Sequence, residues 1–515
     1  MTRSAWTLTA AVLGSSVVFL DSTVVNIALP KIAQDLPTFG LGALEAQSYI
    51  YYGYLLTLSS LLILAGALSD RYGRRKIFNI GIICFGLTSL LCAVSPNAEF
   101  LIISRLLQGI AGALLVPGSL ALIRHAYRGG EEGKAFGIWS AASAATTIIG
   151  PFVGGFLIDS VSWRAIFLLN IPLVFIALAI SRRFIEESTD HASYRGFDWL
   201  GAGVMTLALG GLTFGVTFGQ QRSWQDPLYI PILTIGIISL VIFPFLMKSR
   251  RHALIPLTLF RSRNFTTINL STLLIYGALY VIFYYLTLFL QGTLGYSATA
   301  AGVATLPEAL LLVALSEIFG KLSSRIGSRI FLIAGPILMS VGTLLLAFVP
   351  ATSQPWILNL TDFATFIPPT SYFTDFLPAF LIFGLGLSML VAPLTTTLMD
   401  SVSETHAGLA SALNNAISRT GPQLAGVLLF AAITASFYQS LHQHLPSLDT
   451  NSQQTRLAVS PLNKPASSDS HVIQAARNAS TDAFHTAMLI GASLLLVGAA
   501  INAFGLKQKK KHTHN

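Results

Sequence analysis

Long apolar runs separated by short polar breaks set the pattern of this chain. Runs long enough to cross about 30 Å of hydrocarbon fall near residues 6–30, 47–68, 77–94, 99–123, 135–158, 164–181, 199–219, 228–247, 265–290, 300–320, 330–350, 374–398, 407–437 and 484–505. In lipid a single segment satisfies its backbone internally only as a helix, and such a helix tolerates internal Pro and Gly. The pattern therefore predicts an all-α polytopic membrane protein with 14 transmembrane helices. The first run follows a single charge, Arg3, and lacks a small-residue cleavage pattern, so it reads as a retained helix and not a removed signal. Two breaks are long, 350–373 and 438–483. The second is rich in Ser, Asn, Gln and His and reads as a flexible surface segment.

Composition sharpens this picture. Charged residues make up 10% of the chain and apolar ones 53%, against roughly 25% and 45–50% in an ordinary soluble domain, and the mean hydropathy is +0.67. A net charge of +9 raises the question of nucleic acid, and its placement answers it. If the N-terminus is cytoplasmic, 23 of the 31 Lys and Arg fall on the cytoplasmic side and six on the other, with Arg105 and Arg419 inside spans. That is the positive-inside asymmetry of a membrane protein. It predicts N- and C-termini in the cytoplasm, the lipid bilayer as a partner, and no nucleic acid. Cys84 and Cys92 lie in one apolar run and read as packing residues outside any disulfide framework.

The chain also repeats itself. GALSDRYGRR at 66–75 aligns with GKLSSRIGSR at 320–329, an offset of 254, with six identities. GIWSAASAATTIIGPFVGG at 137–155 aligns with GLASALNNAISRTGPQLAG at 408–426, an offset of 271, with seven. The extra 17 residues fit in the long break at 350–373. Two pseudo-symmetric halves of six helices follow, residues 1–184 and 263–515, with an inserted two-helix segment at 185–262. Internal repeats of this kind are a common way of building transporters.

These features resemble the major facilitator superfamily, in particular its fourteen-helix drug/proton antiporters of the multidrug efflux type. The resemblance is carried by LDSTVVNIALP in span 1, GALSDRYGRRK after span 2, RLLQGIAGA in span 4 and GPFVGG in span 5. LPEALLLVALSEIFGKLSSRIGSR and APLTTTLMDSVSETHAGLASALNNAISR add to it in the second half. It implies a proton-coupling role for Asp21 of the span 1 motif and for Arg105. It also implies a conformational gate in the loop formed by Gly66, Asp70, Arg71, Gly73, Arg74 and Arg75; within it Gly66, lacking a side chain, is expected to let two helices approach closely. The family's antiporter pattern has further small residues upstream of GPFVGG; here these are Ala142 and Thr146, not glycine.

The residues support parts of this independently. A charge at bilayer depth costs at least about 2.5–3.5 kcal/mol on insertion scales. Asp21 lies roughly 13 Å inward of Pro30, and Arg105 roughly 10 Å from the same face, at 1.5 Å per residue. Opposite charges matched in depth offset each other's burial, and their separation would leave a carboxylate for which a proton is the alternative partner. A static structural ion pair is the competing reading. Asn26 and Gln108 sit one turn away and either extend a polar network or join helices. Glu308, Asn415 and Arg419 are further polar groups at depth: the carboxylate attracts a cation, carries a second proton, or balances Arg419. Tyr276, Tyr280, Phe283 and Tyr284 share one helical face, suited to flat lipophilic or cationic ligands if it faces a cavity and ordinary if it faces lipid. Gly150, Pro151, Gly154 and Gly155 form a close-packing, kinked helix face.

No Walker-type loop and no metal-spaced Cys/His cluster occurs in the sequence, so no cofactor, no metal and no ATP chemistry within the chain is expected. The reading that results is a secondary transporter of the cell membrane, not an enzyme. It exports small amphipathic or cationic compounds in exchange for protons, with other envelope components left open as partners. A carrier of a polar metabolite or lipid is the alternative within transport. A membrane-embedded sensor or enzyme would need a catalytic cluster or extramembrane domain, and neither is visible.

Overall fold

The computed structural model describes residues 2–127, 132–189, 198–250, 253, 255, 257–359, 361–402 and 407–507. All of its regular structure among these residues is helical. The order is α1 (Arg3–Asp35), α2 (Ala43–Tyr72), α3 (Arg74–Ala93), α4 (Ala98–Ala126), α5 (Glu132–Ser160), the short α6 (Ala165–Leu168), α7 (Asn170–Phe184), α8 (Trp199–Gln221) and α9 (Tyr229–Ser249). Then come α10 (Arg263–Leu288), α11 (Ala298–Ala304), α12 (Leu306–Ile326), α13 (Ser328–Leu346), α14 (Leu377–Asp400), α15 (Ala407–His444), α16 (Gln453–Ala458) and α17 (Ser470–Gly505). Twelve of the described helical segments are long and apolar enough to cross a membrane. The long helices α2 and α5 stand where the second and fifth spans were predicted.

Local chemistry starts and stops these helices where the sequence permits. Asn97 caps α4 by accepting from Phe100 N at 2.8 Å, and Asp198 caps α8 by accepting from Gly201 N at 2.8 Å. These side chains satisfy orphan amides that lipid could not. Between α2 and α3 the chain reverses at Gly73, with φ at +107°, and between α12 and α13 it reverses at Gly327, with φ at +102°. The Gly73 amide donates to Ser69 O and the Gly327 amide to Ser323 O. The same device thus occurs twice at the offset of the repeated motif, and it needs glycine because a Cβ is strained at that φ.

Packing sorts the helices into groups. α1 lies against α4, α5 and α7, and α4 against α2 and α3; α10 lies against α15 and α17, and α14 against α12 and α13. α5 meets α11, and α2 meets α15, across the seam between the two groups. α8 pairs with α9 and touches both α2 and α15.

Three expectations are corrected. The segment 438–483 is not a loop throughout: α15 runs on to His444, α16 forms within it, and α17 begins at Ser470. Its polar composition hides apolar anchors, because Val459 and Leu462 are buried and Leu462 N donates to Ser480 Oγ at 3.1 Å. Cys84 is exposed, so it is no packing residue, whereas Cys92 is buried, and both are free thiols. Gly66 does not mark an approach that only glycine allows, since an added Cβ would stand at an ordinary 3.6 Å from Pro117 Cβ.

This contrast is measurable. Gly73→Ala is expected to destabilise the purified protein by about 1–3 kcal/mol, the cost of a strained backbone position, because a Cβ there would also press on the Glu187 carboxylate at 2.7 Å. Gly66→Ala should stay within about 0.5 kcal/mol. Equal thermal shifts for the two variants in detergent would contradict the assignment.

Candidate functional site

Asp21 on α1 and Arg105 on α4 meet inside the bundle as an ion pair, with 3% and 0% of their surfaces exposed. The guanidinium Nη1 donates to Asp21 Oδ2 and also to Gln108 Oε1 at 2.6 Å. Gln108 Nε2 donates to Asp21 Oδ1 at 3.0 Å, and Asn170 Nδ2, from α7, donates to the same oxygen at 3.2 Å. Asn170 also donates to Ser89 Oγ at 3.0 Å, and the Cys92 thiol donates to Gln108 Oε1 at 3.4 Å. Arg105 lies 4.1 Å above the Tyr54 ring, a cation–π contact. The carboxylate therefore collects one charged and two amide donors from α4 and α7. That donor set offsets the cost of taking the carboxylate out of water. Arg105 Nη2 and Asn170 Oδ1 are buried without a partner.

Gln108 was named from sequence; Asn170, Ser89 and Tyr54 were not. Tyr54 had a visible signal in YIYYGY at 49–54, a tyrosine run unusual inside an apolar helix. Asn170 had only its position as a lone amide in FLLNIPL.

Asn26 lies one turn beyond Asp21 but serves a different contact. Its Nδ2 donates to Phe283 O and Thr287 Oγ1 of α10, each at 3.4 Å. The aromatic stripe of α10 does not form one free surface. Tyr284 is fully buried and meets Ser48 Oγ at 3.2 Å and the rings of Tyr51 and Tyr52 at 5.0 and 5.5 Å. Phe283 packs edge-on against Phe383 of α14 at 5.6 Å, while Tyr276 and Tyr280 are half-buried.

Glu308 stands in the first turn of α12, just after the break at Thr305 that separates α11 from α12. Its backbone presses on α14, where a Cβ on Gly384 would come within 2.7 Å of Glu308 Cα. Its Oε2 is buried without a partner. Among the described residues no ion pair joins Glu308 to Arg419. The arginine lies instead 5.1 Å from the Phe19 ring of α1, and Phe19 in turn faces Trp139 of α5 at 6.2 Å. Asn415 is turned onto its own helix and donates to Ser411 O at 3.1 Å.

At the end of the bundle that carries both termini, the loop around Gly73 is held from an unforeseen direction. Glu187, just past α7, accepts from Arg75 N and Lys76 N, each at 3.0 Å, and so caps α3. Arg74 N donates to Ser188 O at 3.0 Å, Arg75 Nη1 donates to Ile185 O at 3.0 Å, and Arg75 Nε lies 3.9 Å from Glu187. Arg71 stacks at 5.3 Å over Tyr72. The Asp70 side chain lies outside the described residues. Sequence patterns local to the loop carried no sign of Glu187, which comes from more than 100 residues away.

The opposite end is where the two helix groups are joined. Among the described residues, hydrogen bonds cross from residues 3–184 to residues 263–507 at Asn26, Ile27, Leu44, Gln47, Ser48, Tyr52 and Asp159, all remote from the termini. Asp159 at the end of α5 accepts from Ala298 N at 3.2 Å, Thr299 N at 2.7 Å and the Thr299 hydroxyl at 2.6 Å, so a carboxylate of one group caps α11 of the other. The small residues beside it allow the approach. A Cβ on Gly155 would stand 2.4 Å from Ala298 O, and one on Gly302 would stand 2.4 Å from Pro151 O. Gly150 and Gly154 face the other way, onto Thr23 and Val24 of α1.

Comparison with known proteins fits this architecture. The model of the Major Facilitator Superfamily matches residues 11–427. The chain is 32% identical over 450 residues to the puromycin resistance protein pur8 of Streptomyces alboniger, covering 86% of this chain and 84% of that one. It is 29% identical over 440 residues to the multidrug resistance protein Stp of Mycobacterium tuberculosis, covering 85% and 78%. It is 27% identical over 509 residues to the multidrug transporter protein MdtP of Bacillus subtilis, covering 94% and 90%. In structure it is similar to a bacterial homolog of the human lysosomal transporter Spinster, with a TM-score of 0.63, 15% identity, and 97% and 96% of the two chains covered.

The Asp159 cap is the tractable part of the seam. Hydrogen bonds to a charged group contribute roughly 1.5–3 kcal/mol each, and about 1.4 kcal/mol is tenfold in an equilibrium. Asp159→Ala is therefore expected to raise at least tenfold the rate at which a water-soluble maleimide reacts with a single cysteine at Ala298, which is 4% exposed. An unchanged rate would show that the cap does not hold this end closed.

Proposed function

Because the chain belongs to the Major Facilitator Superfamily, a family of multi-pass membrane transporters and not enzymes, we propose that it is a fourteen-helix drug/proton antiporter. It exports small amphipathic or cationic compounds across the cytoplasmic membrane in exchange for protons. Both termini face the cytoplasm, residues 1–184 and 263–515 are the two six-helix halves, and residues 185–262 are an inserted pair. The twin reversals at Gly73 and Gly327 support the halves. The resistance and transporter names of the relatives support the substrate class.

The observation that carries the coupling is the donor set around Asp21, drawn from two other helices, α4 and α7. With those donors in place the charge of the carboxylate is compensated. A movement of α1 against α4 and α7 removes them together, and a buried carboxylate without partners takes up a proton. Restoring the pair expels that proton. Alternating between the two arrangements on opposite sides of the membrane moves protons one way and makes the reverse movement of substrate the coupled step. Asp21 and Arg105 are the coupling pair, and Gln108 tunes it.

Glu308 meets the charge of a cationic substrate, since its Oε2 has no partner of its own. Asn26, Tyr276, Tyr280, Asn415 and Arg419 line the path with it. The loop residues Gly66, Asp70, Arg71, Gly73, Arg74 and Arg75 gate the end that carries the termini, with Glu187 as their counterpart.

Inverted vesicles with an acidified interior test this reading. Addition of lipophilic cations should release protons with the native chain and not with Asp21→Asn, while the variant still binds the compound as read by quenching of intrinsic fluorescence. Glu308→Gln should keep proton release with neutral compounds and lose it with cations. Equal release from the native chain and Asp21→Asn would remove Asp21 from the coupling role.

A further inference from the structure

At the end of the bundle that carries the termini, an open groove of about 460 Å³ lies along α10 and α17. Its walls include Phe260, Arg263, Thr266, Leu270, Ile501 and Phe504. The apolar part faces outward: Leu270 is 47% exposed and Phe504 83% exposed, which in a membrane-spanning bundle means exposed to lipid. The charged part sits at the mouth. Arg263 is exposed, and its guanidinium is fixed by donating Nε to Gly505 O at 2.8 Å and Nη2 to Phe504 O at 2.7 Å. Those bonds satisfy the last carbonyls of α17 and do not use Nη1. Arg261, also exposed, precedes it by two residues, and Lys507 follows α17.

We propose that this groove binds an anionic phospholipid, with the phosphate at Arg263 and an acyl chain along Leu270, Ile501 and Phe504. Charge complementarity selects the occupant. An arginine held at the water–lipid boundary beside an apolar wall matches a molecule that carries both a negative head and a hydrocarbon tail. A free anion would leave Leu270 and Phe504 unused, and a neutral lipid would leave the arginines unmatched. Neither the groove nor its residues belong to the coupling pair or the seam, so the assignment stands apart from the transport reading.

The test uses the full chain, stripped of lipid by detergent washing and examined by native mass spectrometry. The probes are phosphatidylglycerol, phosphatidylcholine of the same acyl chains, and glycerol 3-phosphate as the free-anion arm. Phosphatidylglycerol should be retained at least about fivefold more than phosphatidylcholine, the scale of one interfacial arginine, and glycerol 3-phosphate should not be retained. Arg263→Gln and Arg261→Gln should each reduce that preference. Phe504→Ala should reduce retention while leaving every hydrogen bond of Arg263 in place, because those bonds go to backbone carbonyls, so its effect is separable from a folding defect. Equal retention of the two lipids, retention of glycerol 3-phosphate at the level of phosphatidylglycerol, or full retention by Phe504→Ala would each overturn the proposal.

Discussion

A charge buried at the depth of a bilayer must find an opposite charge or give up its own, and this constraint organises the first half of the molecule. Asp21 and Arg105 lie fully inside the bundle. Removing one partner from such a pair costs about 3–5 kcal/mol, because the other is left uncompensated. The surrounding residues hold the pair in register. Gln108 bridges the two charges, Asn170 ties the carboxylate to α7, and Ser89 ties Asn170 to α3. Four helices are thereby committed to one arrangement of a single carboxylate. A displacement of any one of them disturbs the donors of that carboxylate.

The second constraint is asymmetry between the two ends. Hydrogen bonds across the seam gather at the end remote from the termini, where Asp159 caps α11 and Gln47 meets Asn463 at 2.8 Å. Helix α8 reinforces the same end: Arg222, just past it, pairs at 3.0 Å with the buried Glu45 of α2, while Arg456 reaches back to Gln220 O. The end that carries the termini is stabilised within groups, through Glu187 on α3 and Arg263 on α17. A bundle bonded across its seam at one end has an obvious way to open at the other. Helix α8, touching both α2 and α15, must yield whenever that seam does.

How much of this was legible in the sequence depended on the range of the signal. Apolar runs, matched depths of Asp21 and Arg105, and the repeat at an offset of 254 are local or periodic, and they led to helices, a charge pair and a doubled reversal. Asn170 and Glu187 were not legible because each acts across more than 100 residues of chain, through the docking of α7 onto α1 and α3. The segment 438–483 misled because composition averages over the few buried residues, Val459 and Leu462, that decide its conformation. The stripe on α10 was legible only in part for a related reason: helical spacing says which residues share a face, but Tyr284 meets α2 and Phe283 meets α14, neighbours that spacing does not name.

In the proposed coupling, Asp21 changes protonation as its donors come and go. Infrared difference spectroscopy of the reconstituted protein across a pH step reads the carboxylic C=O stretch directly. The account predicts a protonated-carboxyl band that appears on acidification, is present in the native chain and in Glu308→Gln, and is absent in Asp21→Asn. A band unchanged by Asp21→Asn, or its loss in Glu308→Gln alone, would contradict it.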